Sequence, residues 1–156
     1  MAMKRVGNWA GAKAVINSLG AKMYAAQQLS LRRFGLKAEA IAKGHISAQD
    51  LNWKPLSPKT LAAKIRAGYS ENILVQTSTY FQSITTWVAG ETVYIGVKRE
   101  ARDKEGNVIA NIARVHEYGS TSAGIPARPL WGPSLSEAVK WHLATNTPAE
   151  IFFRGK

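Results

Sequence analysis

The first third of the chain constrains the fold most, because residues 8–43 contain no proline and are rich in Ala, Leu, Lys and Gln. Apolar residues recur there in two stripes at helical spacing. The first stripe consists of Ile16, Leu19, Met23 and Ala26, and the second of Leu31, Phe34, Ala38 and Ile41. At about 100° per residue, the second stripe is rotated by about 60° from the first. The pattern predicts one long curved helix, or two helices that break near Gly35, with the helical region ending at Gly44.

Capping signals mark shorter helices after this region. We expect a loop over 45–52, followed by a helix in which Ser57 is the N-cap and Pro58 occupies the first helical position. Gly68 is a natural C-terminal stop for that helix. A second short helix is predicted over 77–84.

The middle of the chain carries the period-two alternation of β-strands. Apolar and polar residues alternate over 85–89 and again over 92–97, and Gly90-Glu91 between them suits a two-residue turn with glycine first. The pattern predicts an antiparallel β-hairpin. The residues of the second strand that we expect to face the core are Val93, Ile95 and Val97.

The chain after the hairpin alternates between loops and helices. Residues 98–107 are rich in charge and are expected to form an exposed loop or a hairpin tip. A helix over 108–118 is predicted to stop at Gly119, and the small polar residues 120–124 are expected to be mobile. Residues 125–129 must be extended, because each proline disfavours helix in the residue before it.

The last long helix is expected to open at Pro133-Ser134 and to end at Thr147-Pro148. Its apolar residues at four-residue steps are Leu135, Val139 and Leu143. These elements together predict an α+β fold, in which a small antiparallel sheet is flanked by helices and a long helical region comes first. We interpret residues 1–156 as a single domain, with that helical region over 8–43 and a C-terminal tail over 148–156.

The net charge of +11, from 21 basic and 10 acidic residues, favours polyanions or acidic protein surfaces as partners. The basic residues are scattered singly and in pairs, so solubility and steering of partners explain the charge as simply as nucleic acid does. The absence of cysteine excludes disulfides, thiolate nucleophiles and cysteine-based zinc sites. No run of about 18 apolar residues occurs, so no membrane span is predicted.

The histidines, His45, His116 and His142, lack the spacing of metal ligands. His116-Glu117 matches the start of the zinc-protease helix motif, but Ser120 stands where the second histidine would be. The phosphate-binding and dinucleotide-binding glycine motifs and the Gly-x-Ser-x-Gly turn are also missing from the sequence. We therefore expect no enzyme, no metal and no cofactor, although a serine, a histidine and an acid brought together by the fold would be compatible with the sequence.

Five residues are candidates for a protein interface. They are Arg128, Trp131, Ile151, Phe152 and Phe153. Arg128 lies between two prolines, and a rigid backbone lowers the entropy that is lost on binding. Arginine and tryptophan are also common interface anchors. The alternative is that Arg128 pairs with a carboxylate of its own chain. The apolar tail must dock either on its own domain or on a neighbouring subunit, and we expect the neighbour.

Three short patterns occur in order between Trp53 and Leu135. The first is Trp53-x-Pro55-Leu56-Ser57-x-x-Thr60-x-x-x-Lys64. The second is Ile73-Leu74-Val75-x-Thr77, with Ser83-Ile84 soon after. The third is Ala113-x-x-His116-Glu117-x-Gly119, followed by Ile125-Pro126-Ala127-Arg128-Pro129-x-x-Gly132. Their order and spacing resemble those of the phage virion-morphogenesis family, the tail-completion and neck proteins. The chain departs from that family at Ser78 and Tyr80, where the family usually has a glycine and an aliphatic residue.

The resemblance implies an α+β subunit that forms a ring, commonly a hexamer, at the top of the tail or in the neck of a virion. Such a ring caps the tail tube and docks it to the head. Its partners would be further copies of the chain, the tail-tube protein and the neck or connector proteins, with DNA in the lumen, and it would be assembled in the host cytoplasm. The resemblance implies no catalysis, no cofactor and no membrane contact.

A ring is a closed heterologous assembly, so each subunit needs two different complementary patches. The sequence offers three candidates for them, which are the N-terminal helical region, the loop over 98–107 and the tail residues 151–153. The alternative function, suggested by the charge, is a basic nucleic-acid-binding protein. A third option is an enzyme that uses one of the histidines.

Overall fold

The computed structural model describes residues 7–154, which form six helices and one antiparallel pair of strands. In chain order these elements are α1 (Trp9–Ala48), α2 (Pro58–Arg66), α3 (Thr79–Ser83), β1 (Ile84–Ala89), β2 (Thr92–Val97), α4 (Ile109–Tyr118), α5 (Trp131–Thr145) and α6 (Pro148–Arg154). The predicted α+β class is confirmed, with a small antiparallel sheet flanked by helices and a long N-terminal helix.

Helix α1 is one continuous helix of 40 residues. The side chain of Asn8 caps its start by accepting a hydrogen bond of 2.9 Å from Gly11 N. The predicted end at Gly44 is wrong, because α1 continues to Ala48, and the predicted loop over 45–52 is found only from residue 49 onward. A glycine inside a helix costs about 1 kcal/mol relative to alanine, and full burial of Ile46 in the next turn outweighs that cost.

Gly35 marks a close approach rather than a break in α1. A Cβ atom added at this position would lie 2.7 Å from Val93 Cγ2 and would also meet Thr86. The Thr86 hydroxyl donates a hydrogen bond of 2.9 Å to the carbonyl oxygen of Gly35. The absence of a side chain therefore lets the hairpin lie directly against the helix backbone.

The hairpin has the predicted register, in which Ile84 pairs with Val97 and Ala89 with Thr92. Gly90 takes a positive φ of 59° at the first turn position, as the two-residue turn requires. The predicted inward face of β2 is confirmed, although its side chains are half-buried rather than fully buried. Its three residues are Val93 against Gly35, and Ile95 and Val97 against the core clusters.

The core consists of two clusters that share α1 as their spine. The smaller cluster joins α1 to α5 through Ala38, Ile41 and Ala138, with Phe34 and Ile95 packed against it. The larger cluster lies at the C-terminal end of α1. Its buried residues are Ala42, Ile46, Trp53, Tyr80, Ile84, Ile109, Ala113 and Leu130.

The predicted boundaries of the shorter helices are confirmed where a capping side chain or a glycine determines them. Ser57 caps α2, since its hydroxyl accepts a hydrogen bond of 3.1 Å from Thr60 N. Gly119 ends α4 with a φ of 76°. A Cβ atom there would lie 2.8 Å from the backbone nitrogen of Ala127, so this glycine also admits the extended segment that follows.

Both connecting segments after the hairpin are closed by hydrogen bonds. In the loop over 98–107, the carboxylate of Asp103 accepts from the backbone nitrogens of Glu105 and Asn107, at 2.9 and 2.8 Å. A hydrogen bond from the Asn107 side chain is the main cause that lowers the pKa of Asp103. Ser120 and Ile125 exchange two backbone hydrogen bonds, of 2.8 and 2.9 Å, across the small polar segment.

Helix α5 begins at Trp131, two residues before the predicted Pro133-Ser134 start. It lies on α1 through small residues, Ser134 and Ala138, both with no exposed surface. Its large apolar residues point elsewhere, and they are Leu135, Val139 and Leu143, which are 38%, 44% and 68% exposed. The apolar stripe from which the helix is predicted is therefore exposed, and α5 buries a different face.

Candidate interaction surfaces

The three sequence patterns meet in space, starting with the first and the third. Trp53 donates a hydrogen bond of 2.9 Å from Nε1 to the carbonyl oxygen of Pro129. One residue further on, the carbonyl oxygen of Lys54 accepts from Nε and Nη2 of Arg128, at 3.4 and 3.3 Å. These contacts hold the extended Pro-Arg-Pro segment against the chain that enters α2.

The second pattern is joined to the first by Lys64. Its ammonium group donates to the carbonyl oxygens of Asn72, at 2.6 Å, and Val75, at 2.7 Å. Lys64 is only 9% exposed, so these carbonyls replace the water that it loses on burial. Burial, and secondly the charge of Arg128, lower the pKa of Lys64. We name the contacts of Trp53, Lys64, Glu117 and Arg128 the hub.

Glu117 links the hub to α5. Its Oε2 atom accepts hydrogen bonds from the backbone nitrogens of Leu130, at 2.7 Å, and Trp131, at 3.3 Å. A carboxylate in this position satisfies amides at the start of α5 and complements the positive end of the helix dipole. Glu117 therefore fixes where the helix begins, which explains why α5 starts ahead of Pro133.

Arg128 is not paired with Glu117, so the alternative of an internal carboxylate partner is not found, and its burial leaves little of the side chain for the interface with a neighbour that the sequence suggested. The residue is 6% exposed, and its backbone nitrogen donates to the carbonyl oxygen of His116 at 2.7 Å. In residues 7–154, no carboxylate forms a salt bridge with Arg128 or Lys64. Burial and the nearby Arg128 charge both lower the pKa of His116. The hub thus gathers basic groups whose partners are carbonyl oxygens, an arrangement that ties loops together.

The other interface candidates divide by burial. Ile151 is 8% exposed, because α6 packs on α1 of the same chain, so its assignment to a neighbour is corrected. Trp131 is half-buried against the larger core cluster. Phe152 is half-buried, and Phe153 is 82% exposed with its ring set edge-on to Phe152. Of the predicted set, Phe153 alone presents most of its surface.

Each histidine has a packing role. His45 lies between two carboxylates, with Nδ1 2.8 Å from Asp50 and Nε2 3.6 Å from Glu137. His142 sets its ring edge-on to Phe34, and His116 lies near the ring of Tyr80. Among residues 7–154, no group of three His, Asp or Glu side chains could hold a metal ion. No helix in that part of the chain is long and apolar enough to cross a bilayer.

An uncovered apolar surface runs along the first part of α1. We name residues 9–25 the arm. Four large apolar residues share one face of the arm, and they are Trp9, Ile16, Leu19 and Met23, which are 61%, 67%, 41% and 61% exposed; Val15 and Tyr24, outside that stripe, are 58% and 54% exposed. The arm carries Lys13 and Lys22, and no acidic residue occurs before Glu39. The sequence predicts this helix, but not that its first half stands clear of the body.

A second uncovered apolar surface runs along α5, and we name Leu135, Val139 and Leu143 the outer stripe. Its Leu135 end borders a groove of about 300 Å3 between β2, α4 and α5. The groove is lined by Ile95, Val97, Ala113, Tyr118, Trp131 and Leu135, among others. Four-residue spacing is the signal for this stripe in the sequence, but whether it faces inward depends on the approach of α1.

The outer face of the hairpin is the third exposed surface. Trp87 and Tyr94 stack with ring centroids 5.2 Å apart, and Lys98 lies 5.7 Å from the centroid of the Trp87 ring.

Comparison with protein-family models, with curated proteins and with solved structures finds no match for this chain.

Proposed function

We propose that this chain is a structural subunit that assembles with copies of itself into a ring at the top of the tail or in the neck of a tailed phage. The ring would complete the tail and join it to the head. The observation that carries the proposal is the hub, in which residues of all three patterns that resemble those of the virion-morphogenesis family contact one another or adjacent backbone. If the three patterns matched the family by chance, there would be no reason for their residues to meet in one set of contacts.

The exposed surfaces support assembly as the mode of action. A closed ring requires two different patches on each subunit. The arm and the outer stripe are two such patches, both apolar, on separate parts of the chain. Apolar surface of this extent on a folded chain is typical of a protein interface. The partners that we propose are further copies, the tail-tube protein and the neck or connector proteins.

The arrangement of polar groups supports a role without catalysis. The hub cations are bonded to backbone carbonyls, and the histidines pack against aromatic rings or lie between carboxylates. The net charge of +11 suits a ring that encloses the path of DNA or meets acidic neighbours. Assembly of such a ring would take place in the host cytoplasm before the subunit becomes part of the virion.

The direct test is to disrupt the gene in its own phage and to examine the particles by electron microscopy. We expect filled heads and separate tails that do not join, and we expect the gene supplied in trans to restore joined particles. Normal infectious particles in the absence of the gene product would contradict the proposal.

A second candidate function is binding of nucleic acid, favoured by the seven basic residues and the absence of acid in residues 1–38. Contacts to phosphates release counterions, so affinity should fall steeply with salt. The discriminating measurement is DNA binding by the purified monomer at about 50 and 200 mM salt. A loss of affinity of about 10³-fold or more would favour this function over ring assembly.

A further inference from the structure

The arm continues a face of α1 that is already covered elsewhere in the chain. Phe34, Ala38 and Ile41 on that face pack against α5. The cover includes Ser30, whose hydroxyl donates to the carbonyl oxygen of Asn146 at 2.6 Å, and it ends about one turn earlier in the chain, at Ala26, which is 6% exposed. Before Ala26 the face continues with Met23, Leu19 and Ile16, rotated by only about 60°, and these side chains are 61%, 41% and 67% exposed.

The arm cannot bury this stripe on its own α5. Both halves of α1 belong to one unbroken helix, so Ile16 lies about 21 Å beyond Ser30 along the axis, at about 1.5 Å per residue. Folding back would require the helix to break, and residues 7–25 contain no proline that would do so. The surface that fits the arm must come from another molecule.

The outer stripe of α5 has the dimensions of that surface. Leu135 to Leu143 spans about 12 Å along α5, and Ile16 to Met23 spans about 10 Å along the arm. Both stripes repeat at three- or four-residue steps, which is the spacing by which one helix packs its ridges into the grooves of another. The groove beside Leu135 continues toward Trp131, and Arg114 and Glu117 also contribute to its lining.

The areas also agree with a subunit contact. The four arm residues on this face, between 41% and 67% exposed, offer roughly 200–350 Å2 of apolar surface, because a tryptophan buries about 150–250 Å2 and an aliphatic side chain about 60–120 Å2. A standard interface buries about 800 Å2 on each partner. Each ring subunit would donate one arm and accept one, so the arm stripe supplies about a quarter to under a half of that area, and the residues that flank the stripe supply the rest.

We propose that the arm of one copy packs its Ile16, Leu19 and Met23 stripe on the Leu135, Val139 and Leu143 stripe of the next copy. The contact is heterologous, because the donating and accepting surfaces differ, and it therefore generates a ring when the rotation closes. This inference rests on the proposed function, and it names the two surfaces through which the ring forms.

Engineered cysteines test the contact, because the chain has none of its own. One preparation carries Met23→Cys and a second carries Val139→Cys, and the two are mixed and oxidised. We expect a disulfide-linked heterodimer. Matched controls are Ser18→Cys, on the opposite face of the arm, and Glu137→Cys, on the other flank of α5. Replacing Met23→Cys with Ser18→Cys, or Val139→Cys with Glu137→Cys, should lower the yield of the disulfide-linked heterodimer at least tenfold.

A charge in the stripe provides the second measurement. We expect Leu19→Asp to lower the yield of native rings at least tenfold while the melting temperature of the monomer is unchanged. Ser18→Asp, one residue away but outside the stripe, should retain the rings. The same loss in both variants would overturn the inference, because it would reflect helix stability and not the stripe.

Three outcomes separate this inference from the proposed function. Rings that form in the wild type while the cysteine pair cross-links no better than the controls would overturn the inference alone. Cross-linking of Met23→Cys only to added tail-tube protein, or binding of the arm to lipid vesicles in place of a second copy, would also overturn it. A wild-type chain that never oligomerises would contradict the proposed function itself.

Discussion

Arg128 is held by a backbone carbonyl, and this changes what its replacement should do. Arg128→Ala removes the hydrogen bonds to Lys54 O and leaves that carbonyl without its partner, which should lower the free energy of unfolding by about 1–3 kcal/mol. Arg128→Lys should recover only part, because lysine lacks the planar fork. The measurement is urea unfolding of the monomer. An Arg128→Ala variant as stable as the wild type would show that the guanidinium does not tie the hub.

His116 gives the fold a dependence on pH. Its pKa in the folded state is lowered by burial and by Arg128, whereas in the unfolded chain the pKa returns to about 6.5. The unfolded state therefore binds more protons between these two values, so stability is present above pH 6.5 and is lost as the pH falls through 6.5 toward the folded pKa.

The test of this pH dependence compares wild type with His116→Phe, which keeps an aromatic ring near Tyr80. Between pH 7.5 and pH 5.5, the free energy of unfolding of the wild type should fall more than that of the variant. Urea titrations at several pH values measure this difference. Identical slopes for the two proteins would exclude His116 as the source.

Two residues of α6 form a matched pair for the docking of the C-terminal helix. Ile151→Ala should lower the free energy of unfolding by about 2–4 kcal/mol, because it leaves a cavity against α1. Phe153→Ala removes a larger side chain that is 82% exposed, so the change should stay within about 0.5 kcal/mol. Thermal melts of both variants provide the comparison. The reverse order would mean that α6 docks through its other face.

At the scale of elements, the seam between α1 and the hairpin depends on Gly35. In Gly35→Ala, the gain of about 1 kcal/mol in helix propensity is opposed by overpacking against Thr86 and Val93, which typically costs about 1–3 kcal/mol. Gly44 is the control, because it lies in the same helix with nothing within 4 Å of an added Cβ atom. Gly44→Ala should therefore stabilise the chain by about 0.5–1 kcal/mol, and Gly35→Ala should destabilise it. Stabilisation by both substitutions would show that Gly35 is not closely packed against the hairpin.

Elements whose boundaries depend on neighbouring residues could be predicted from the sequence. Ser57-Pro58 at the start of α2, Gly90 in the turn and Gly119 after α4 all act through local backbone geometry. The end of α1 could not be predicted in this way. Gly44 is a stop signal locally, but burial of Ile46 against residues distant in sequence carries the helix past it.

The candidate site was predictable only in part, for a related reason. Arg128 and Trp53 were recognisable as unusual residues, but the atoms that bind them belong to other segments, with separations of 74 and 76 residues. The outer stripe has the same difficulty, since four-residue spacing predicts a helix without saying which face it buries. Small residues on α5, Ser134 and Ala138, decide that face by allowing close contact with α1.

At the scale of the whole molecule, the chain combines a closed body with an open arm. The hub and the two core clusters use most of the buried side chains, while the arm leaves its apolar stripe uncovered. Such surface is costly to leave in water, at about 25 cal/mol for each Å2. Assembly through that surface is the simplest physical account of an apolar arm that the rest of residues 7–154 leaves exposed.

The mass of the native chain, measured alone and with the tail-tube protein by native mass spectrometry, tests the central claim most directly. The account predicts one oligomer of a single defined mass, in solution or on contact with the tail tube. A chain that stays monomeric at every concentration, alone and with the tail-tube protein, would contradict it.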